Sequence, residues 1–296
     1  MNQDRQGELL ILLGAIFWGL FPVITILSLN YLSPLASLAW STLFSIPVFA
    51  LILGFKKNWK EITDPSALRD ILLMTFFTGI LYYVLLFSGL RHTSAGNAGI
   101  IALTEVFFSF LLFHVWHKDY ISKGHIIGSC LMLLGAIVVL YPNLTEFKIG
   151  DILILLAAFI APFGNFFQQR ARKKVSSETI LFVRSLIAMP FLFAIAYVFG
   201  QTSTLSGVRE SVFLLLLNGL VLFGFTKILW VEGIHRISVT KANALSSINP
   251  LVTLLFAWLL LSNVPTVWQI LSLAPMISGL ILLGINKRPV EEKIYN

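Results

Sequence analysis

The chain has 296 residues, of which 57% are hydrophobic and 12% are charged, and its mean hydropathy is +0.87. A soluble domain carries about 25% charged residues, so this composition excludes a soluble protein and indicates an integral membrane protein. The net charge of +7 would suit a nucleic-acid partner in a soluble protein. Here the basic residues lie in short loops between apolar segments, so we expect the lipid bilayer, and no nucleic acid, as partner.

Ten apolar segments follow one another along the chain, and each is about long enough to cross the hydrocarbon core of a bilayer. We expect them to be helices, because lipid offers no partner to backbone polar groups and the alternation of a barrel is missing. The predicted spans are 9–29, 35–54, 70–90, 95–115, 124–141, 150–169, 179–199, 211–232, 240–261 and 266–285.

The first and sixth segments repeat one sequence. Residues 7–15 read GELLILLGA and residues 150–158 read GDILILLAA, with six of nine positions identical. At an offset of 144, residues 89–94 (GLRHTS) correspond to residues 233–238 (GIHRIS). Each copy holds five spans and therefore ends on the opposite side from where it began, so the second copy must run upside down. Inverted copies of one unit are found in membrane transporters.

The repeat divides the chain into a first five-helix unit (1–142), a second five-helix unit (143–289) and a short tail (290–296). With the N-terminus in the cytoplasm, 16 of the 21 Lys and Arg residues lie in inner segments and only 3 in outer ones. This bias agrees with the positive-inside rule, and adding or removing one span would destroy it. We therefore predict a multi-pass protein of the cytoplasmic (inner) membrane with ten helices and both ends cytoplasmic.

Motifs for metals and cofactors are missing from the sequence. It contains no zinc-ligand spacing, P-loop or dinucleotide fingerprint. The single cysteine, Cys130, excludes a disulfide framework. We expect no cofactor and no metal.

The end of the third span and the start of the fourth carry a motif, Leu90-Arg91-His92-Thr93-Ser94-Ala95-Gly96-Asn97-Ala98, which is followed by Glu105, and the second copy carries Asn249-Pro250. At these residues the chain resembles the EamA-like family of the drug/metabolite transporter (DMT) superfamily. The resemblance covers nearly the whole chain in two blocks. It implies ten helices arranged as two inverted five-helix repeats around a central cavity, and the export or import of small metabolites. Val106 stands where the family has proline after Glu105, and Ser41 is the first-half counterpart of Arg184.

Glu105 is the sharpest candidate for a functional residue, because it lies in the middle of the fourth span. A charge at the bilayer centre costs at least about 2.5–3.5 kcal/mol on insertion scales, unless water, a partner or a proton reduces the cost. Its counterpart in the repeat is Asn249. We expect the two to meet near the repeat axis, where Glu105 either binds substrate or carries a coupling proton. The alternative is a protonated Glu105 that is bonded to a neighbouring helix.

Arg184 and Lys227 lie in the cytoplasmic halves of the seventh and eighth spans. They either extend to the lipid headgroups or point inward, where they would favour an anionic or zwitterionic substrate. Tyr83 is the counterpart of Lys227, and Asn165 and Trp18 also lie within spans, where they pack against other helices or contact solute.

These residues favour a secondary transporter that moves a small organic metabolite or drug by alternating access, with export as the commoner family role. A coupling proton or ion and a homodimer are both compatible with the sequence. The alternatives are a membrane sensor or scaffold, and a membrane enzyme. An enzyme would need a catalytic polar cluster, whereas only one acidic residue lies at mid-span. We therefore expect no enzymatic activity.

Overall fold

A computed structural model describes residues 3–117, 123–143, 148–237 and 248–285, together with residues 242, 245 and 246. The predicted tail, 290–296, lies outside the described residues. The helices are α1 Gln3–Ser28, α2 Pro34–Lys56, α3 Pro65–Leu90, α4 Ala95–Ala102 with Thr104–His117, α5 Lys123–Leu140, α6 Ile149–Arg172, α7 Ser177–Val198, α8 Leu205–Leu216 continuing through Leu217–Phe225 and Thr226–Arg236, α9 Asn249–Leu261, and α10 Val267–Ile285.

Eight of these helices, α1 to α8, are long and apolar enough to cross a membrane, and α9 and α10 contain shorter apolar stretches. The part of the chain described here contains no strand. The protein is therefore a multi-pass helical membrane protein, as its composition predicts. The predicted ninth span, 240–261, begins in residues that lie largely outside the described part, and its described helix starts at Asn249.

Local sequence signals explain where several helices begin. Ser94 accepts a hydrogen bond from the backbone N–H of Asn97 at 3.1 Å, which caps the start of α4. Thr204 caps α8 in the same way. At α2 a proline, Pro34, occupies the first turn, where its missing N–H costs nothing.

The helices pack in pairs that repeat between the two halves of the chain. Helix α1 packs along α8 and α9, and its counterpart α6 packs along α3 and α4. Helix α2 packs on α8, and its counterpart α7 packs on α3. This defines a first bundle (α1, α2, α8, α9) and a second bundle (α3, α4, α6, α7). Contacts of α2 with α7, and of α4 with α9, join the bundles, and α5 pairs with α10.

Both α3 and α8 contain a π-helical segment in the same place of the repeat. The segments are Thr75–Leu81 in α3 and Leu217–Phe225 in α8. Single π-turns inside α-helices are rare and are frequent at functional sites. Tyr82 and Tyr83 directly follow the first segment, and Lys227 lies two residues after the second. The π-helical turns therefore set the direction in which three of the polar mid-span side chains point.

Candidate functional site

Glu105 lies at a break in α4. Around Leu103 the backbone hydrogen bonds join residues three apart instead of four. Leu103 N donates to Ile100 O, and Val106 N donates to Leu103 O. A new helical segment begins at Thr104, so Glu105 lies in its first turn. The positive end of the helix dipole there favours a carboxylate. The repeat places Asn249 similarly, since it is the first residue of α9.

The Glu105 carboxylate has partners on two other helices. Its Oε1 accepts a hydrogen bond from Nδ2 of Asn165, on α6, at 2.8 Å. Lys227, on α8, is close enough to interact with it electrostatically. Glu105 therefore points into the protein and joins a helix of each bundle to α4.

Lys227 also points inward, and it does not extend to the headgroups. Its Nζ lies 3.9 Å from the centre of the Trp18 ring, on α1. This is a cation–π contact, in which the face of the indole partly replaces the lost hydration of the ammonium group. The structure thus selects the inward orientation of the two that the sequence allows.

Aromatic rings pack next to these charges. Trp18 stacks on Phe21 at 4.8 Å between ring centres, and Phe21 stacks on Phe223 at 5.4 Å. Phe223 packs at 4.7 Å from Tyr83, whose ring lies 4.9 Å from that of Tyr82.

Tyr82 is also close enough to Glu105 to interact with it electrostatically, so these side chains are arranged as a ring around one centre. This central ring consists of Trp18, Phe21, Tyr82, Tyr83, Glu105, Phe223 and Lys227. It brings side chains from both bundles around one centre.

Arg184 lies beside the central ring. Its side chain, on α7, is buried, and the guanidinium carbon is 5.9 Å from the centre of the Tyr83 ring. Gly79 makes room for it, since a Cβ on Gly79 would lie 3.2 Å from Cγ of Arg184. Arg184 is therefore built into the interior and does not reach the membrane surface.

Asn249 does not share these contacts. Its Oδ1 is buried and has no hydrogen-bond partner among the described residues, and none of the described contacts joins it to Glu105. Its carbonyl oxygen lies against α1, within 3.0 Å of the position of a Cβ on Gly19. The predicted meeting of Asn249 and Glu105 therefore stays a prediction.

The predicted site residues differ in access. Tyr83 and Arg184 are buried, whereas Glu105, Asn165 and Lys227 keep part of their surface exposed. Two pockets of about 600 and 210 Å³ open elsewhere, at the start of α8 and between α2 and the end of α7. Neither of these pockets is lined by a predicted site residue, so neither represents the predicted central cavity.

A polar network closes the far end of the bundle, where α1 ends. Thr93 donates a short hydrogen bond to the carboxylate of Asp151, at the start of α6. Gln269, on α10, donates to Oδ1 of Asn97 at 2.7 Å. Arg91 donates to the carbonyl of Leu29 at 2.6 Å and so ties the second bundle to the first.

A different, charged network closes the near end, where α1 begins. Glu178, at the start of α7, accepts a hydrogen bond from Asn58 at 2.9 Å and lies 3.4 Å from the Lys56 ammonium. These contacts join the two bundles. Within the second bundle, Asp70 pairs with Lys174 at 2.8 Å.

The near end also contains a carboxylate that makes stability depend on pH. Glu61 accepts hydrogen bonds from Ser176 N at 2.7 Å and from Thr179 Oγ1 at 2.8 Å. Burial alone would raise the pKa of Glu61, but these hydrogen bonds outweigh it and hold the pKa below its ordinary value. The bonds therefore stabilise the fold above the unfolded pKa of about 4.3, and this contribution is lost as the pH falls through the lower, folded pKa.

We expect a Glu61→Gln variant to be less stable at pH 7 by about 1 kcal/mol, since solvent screens part of the interaction. The difference from the wild type should shrink as the pH falls below about 4. Thermal unfolding of purified protein over a pH series measures it, with Glu210→Gln on an exposed surface as the matched control. A stability difference that does not change with pH would contradict this expectation.

Sequence reasoning missed part of the site. It named Asn165 and Lys227 as candidates but did not pair them with Glu105, and it missed Phe21 and Phe223, because they carry no motif and Phe is abundant throughout the spans. Asn218 was also missed, although an amide in an apolar span is a visible signal. It is fully buried on the π-helical segment of α8 and donates to Thr25 at 3.1 Å.

Comparisons with known proteins agree with this architecture. An uncharacterized transporter of Archaeoglobus fulgidus is 24% identical over 274 residues, covering 91% of this chain and 93% of its own. The uncharacterized transporter YoaV of Bacillus subtilis is 21% identical over 242 residues, covering 80% and 82%. A crystal structure of another protein superposes with a TM-score of 0.69 at 15% identity, covering 95% of this chain and 97% of that one. This last likeness shows the fold alone.

The model of the EamA-like transporter family matches the chain twice, at residues 5–141 and 148–285. The two matches together cover most of the sequence, and the motif at the start of α4 lies within the first of them. The chain therefore belongs to the EamA-like transporter family of the drug/metabolite transporter superfamily, and it is a multi-pass membrane transporter.

Proposed function

We propose that this transporter is a secondary carrier that exports a small organic molecule across the cytoplasmic membrane by alternating access. The observation that carries the proposal is the central ring, in which charged and aromatic side chains from both bundles surround one centre. Separate polar networks lie at the two ends of the bundle. A site between two closures is what alternating access requires.

The repeated packing supports a fold of two inverted five-helix repeats, in which the moving parts are the two bundles, each built from helices of both repeats. Each helix of the first bundle has its repeat counterpart in the second, and both π-helical segments recur in register. Rocking of one bundle against the other would open one end while the other stays closed. Because most basic residues lie in the loops at the near end, the positive-inside rule makes the near end the cytoplasmic one. Both termini then lie in the cytoplasm.

Glu105 is the group that would couple transport to a proton. It is the only acidic residue in the middle of a span, Asn165 donates a hydrogen bond to it, and Lys227 is close enough to interact with it electrostatically. The sequence carries no P-loop for ATP, which favours an ion gradient as the source of energy. No feature of the described site favours an enzyme or a sensor. The homodimer stays a prediction.

The first test identifies the cargo. Cells that overproduce the protein should release one metabolite into the medium and be depleted of it inside, compared with cells without the protein. Profiles of both pools, measured without selecting compounds in advance, provide the readout. The carrier proposal is wrong if the two pools are the same with and without the protein.

The second test asks whether the bundles must separate at both ends. Cys130→Ser removes the only cysteine. Cysteine pairs at Asn58 with Glu178, and at Ser33 with Gln201, then link the bundles at the near and the far end. We expect a short bis-methanethiosulfonate cross-linker, which attaches to each cysteine through a disulfide, to stop export on either pair, and a reductant to cleave the disulfides and restore it.

The control for this experiment is a cysteine pair at Asp70 and Lys174, which joins α3 to the turn between α6 and α7 within the second bundle. Cross-linking it should leave export in place, because these helices move together. Export that continues with the bundles linked at either end would contradict alternating access by rocking.

A further inference from the structure

Three charged residues lie within the spans around the central ring: Glu105 at mid-span, and Arg184 and Lys227 in the cytoplasmic halves of α7 and α8. All three point into the protein, at or beside the central ring. Buried charges are costly in a medium of low dielectric constant, and they persist where they are paired or where a ligand completes them. Each of these three charged side chains therefore needs an opposite charge nearby.

Glu105 and Lys227 carry opposite charges and interact electrostatically across α4 and α8, although no ion pair joins them among the described residues. Asn165 and Trp18 complete their contacts. The one acid at the centre therefore balances only one of its two cations.

Arg184 is left with a surplus positive charge. It is only 6% exposed, and no ion pair joins it to an acidic residue in the part of the chain described. The neighbours that the structure provides are uncharged: the ring of Tyr83 and the helix surface at Gly79. Two carboxylates near α7 form ion pairs with other cations: Glu178 pairs with Lys56, and Asp70 pairs with Lys174.

We propose that the transported molecule is a small organic anion with one net negative charge, and that Arg184 binds its anionic group. This inference rests on the proposed carrier function and specifies its substrate. One negative charge neutralises the centre, which otherwise carries two cations against one acid. A planar guanidinium fits a carboxylate with two parallel hydrogen bonds.

The rest of the molecule would lie against the aromatic side of the ring. Trp18 is partly exposed and stacks on the buried rings of Phe21 and Phe223, and this aromatic side suits an apolar or flat body better than a sugar or a second charge. The predicted substrate is thus amphiphilic, with a charged head at α7 and an apolar body toward α1 and α8.

Binding to purified protein tests the proposal without requiring transport. The probes are matched sets with one carbon skeleton each: 3-phenylpropionate, 3-phenylpropionamide and 3-phenylpropylamine, and hexanoate with hexanamide and hexylamine. A ligand that binds the folded state raises its apparent melting temperature. We expect the carboxylate of a set to stabilise the protein more than its amide or its amine.

Variants assign the effect to Arg184. Arg184→Gln should weaken carboxylate binding about tenfold or more, as expected for the loss of a charged hydrogen-bond donor. Arg184→Lys, which keeps the charge, should retain part of the preference. Arg69→Gln, at an exposed arginine on α3, is the matched control and should change nothing.

The proposal is overturned if no set shows a carboxylate preference, if amines stabilise best, or if Arg184→Gln keeps the full preference. These outcomes differ from failure of the carrier function. A cation that is exported in the metabolite experiment would remove the anion inference and leave the carrier in place. A carboxylate preference without any export would support anion binding at Arg184 and contradict the carrier function.

Discussion

A Glu105→Gln variant is expected to fold and to lose at least about nine-tenths of its export rate. The glutamine oxygen can still accept the hydrogen bond from Asn165, so the local geometry is kept. What disappears is the negative charge that offsets Lys227. Loss of one charge-assisted contact costs about 1.5–3 kcal/mol, which corresponds to roughly tenfold to a hundredfold in rate or affinity.

The same variant separates coupling from simple binding. If Glu105 carries the coupling proton, a proton gradient that is acid outside should accelerate export by the wild type. Glu105→Gln cannot take up a proton at this position, so its remaining export should not respond to the gradient. The measurement is the rate of release from vesicles of known orientation at several imposed pH differences.

Glu210→Gln is the matched control, because it makes the same chemical change at an exposed position near the start of α8. It should leave both the rate and the response to the gradient as they are. If Glu105→Gln also keeps a normal rate and a normal response, then Glu105 neither couples nor binds, and its bond to Asn165 only holds α4 against α6.

The sequence predicts the scaffold well because lipid imposes simple rules. A span must be apolar and about 20 residues long, and basic loops must stay inside. These rules locate the helices. They also identify Glu105 as a functional candidate, because a charge in the middle of a span is energetically costly. They say little about which way a helix is rotated, because apolar residues surround most of these spans on every side. Hence the sequence leaves both orientations of Lys227 and Arg184 open.

The partners of the site depend on features that have no sequence signature. The π-helical turns before Tyr82 and before Thr226 insert extra residues into the helix. The side chains that follow are therefore rotated about the helix axis. The contact of Glu105 with Asn165 depends on how α4 crosses α6, and on the break at Leu103. Repeat symmetry alone predicted Asn249 as partner, but symmetry relates positions without requiring that they touch.

A Gly279→Leu variant is expected to be strongly destabilised, because α5 and α10 approach each other through their backbones. A Cβ on Gly279 would lie 2.6 Å from the carbonyl oxygen of Gly128 and 2.9 Å from the backbone nitrogen of Met132. Backbone atoms cannot rotate away as a side chain can, so the two helices must separate. Overpacking of this kind costs about 1–3 kcal/mol or more.

Thermal unfolding of the purified protein should show a melting temperature that is lower by about 2–12 °C. Gly54→Leu is the control, since a Cβ there meets only the Trp59 side chain at 3.8 Å and the position is exposed. It should be neutral or slightly stabilising, because glycine is a poor helix former. An equal effect of both substitutions would show that the helix crossing is not tight.

The repeat makes this prediction stricter. Gly135 is the counterpart of Gly279, and a Cβ on Gly135 would lie 2.9 Å from the carbonyl oxygen of Ser272, the counterpart of Gly128. If a two-fold axis passes between α5 and α10, Gly135→Leu should destabilise the protein by about as much as Gly279→Leu. The double variant should cost less than the sum, because the first leucine has already moved the helices apart. Unequal single effects with a fully additive double variant would instead mean that the two contacts are independent.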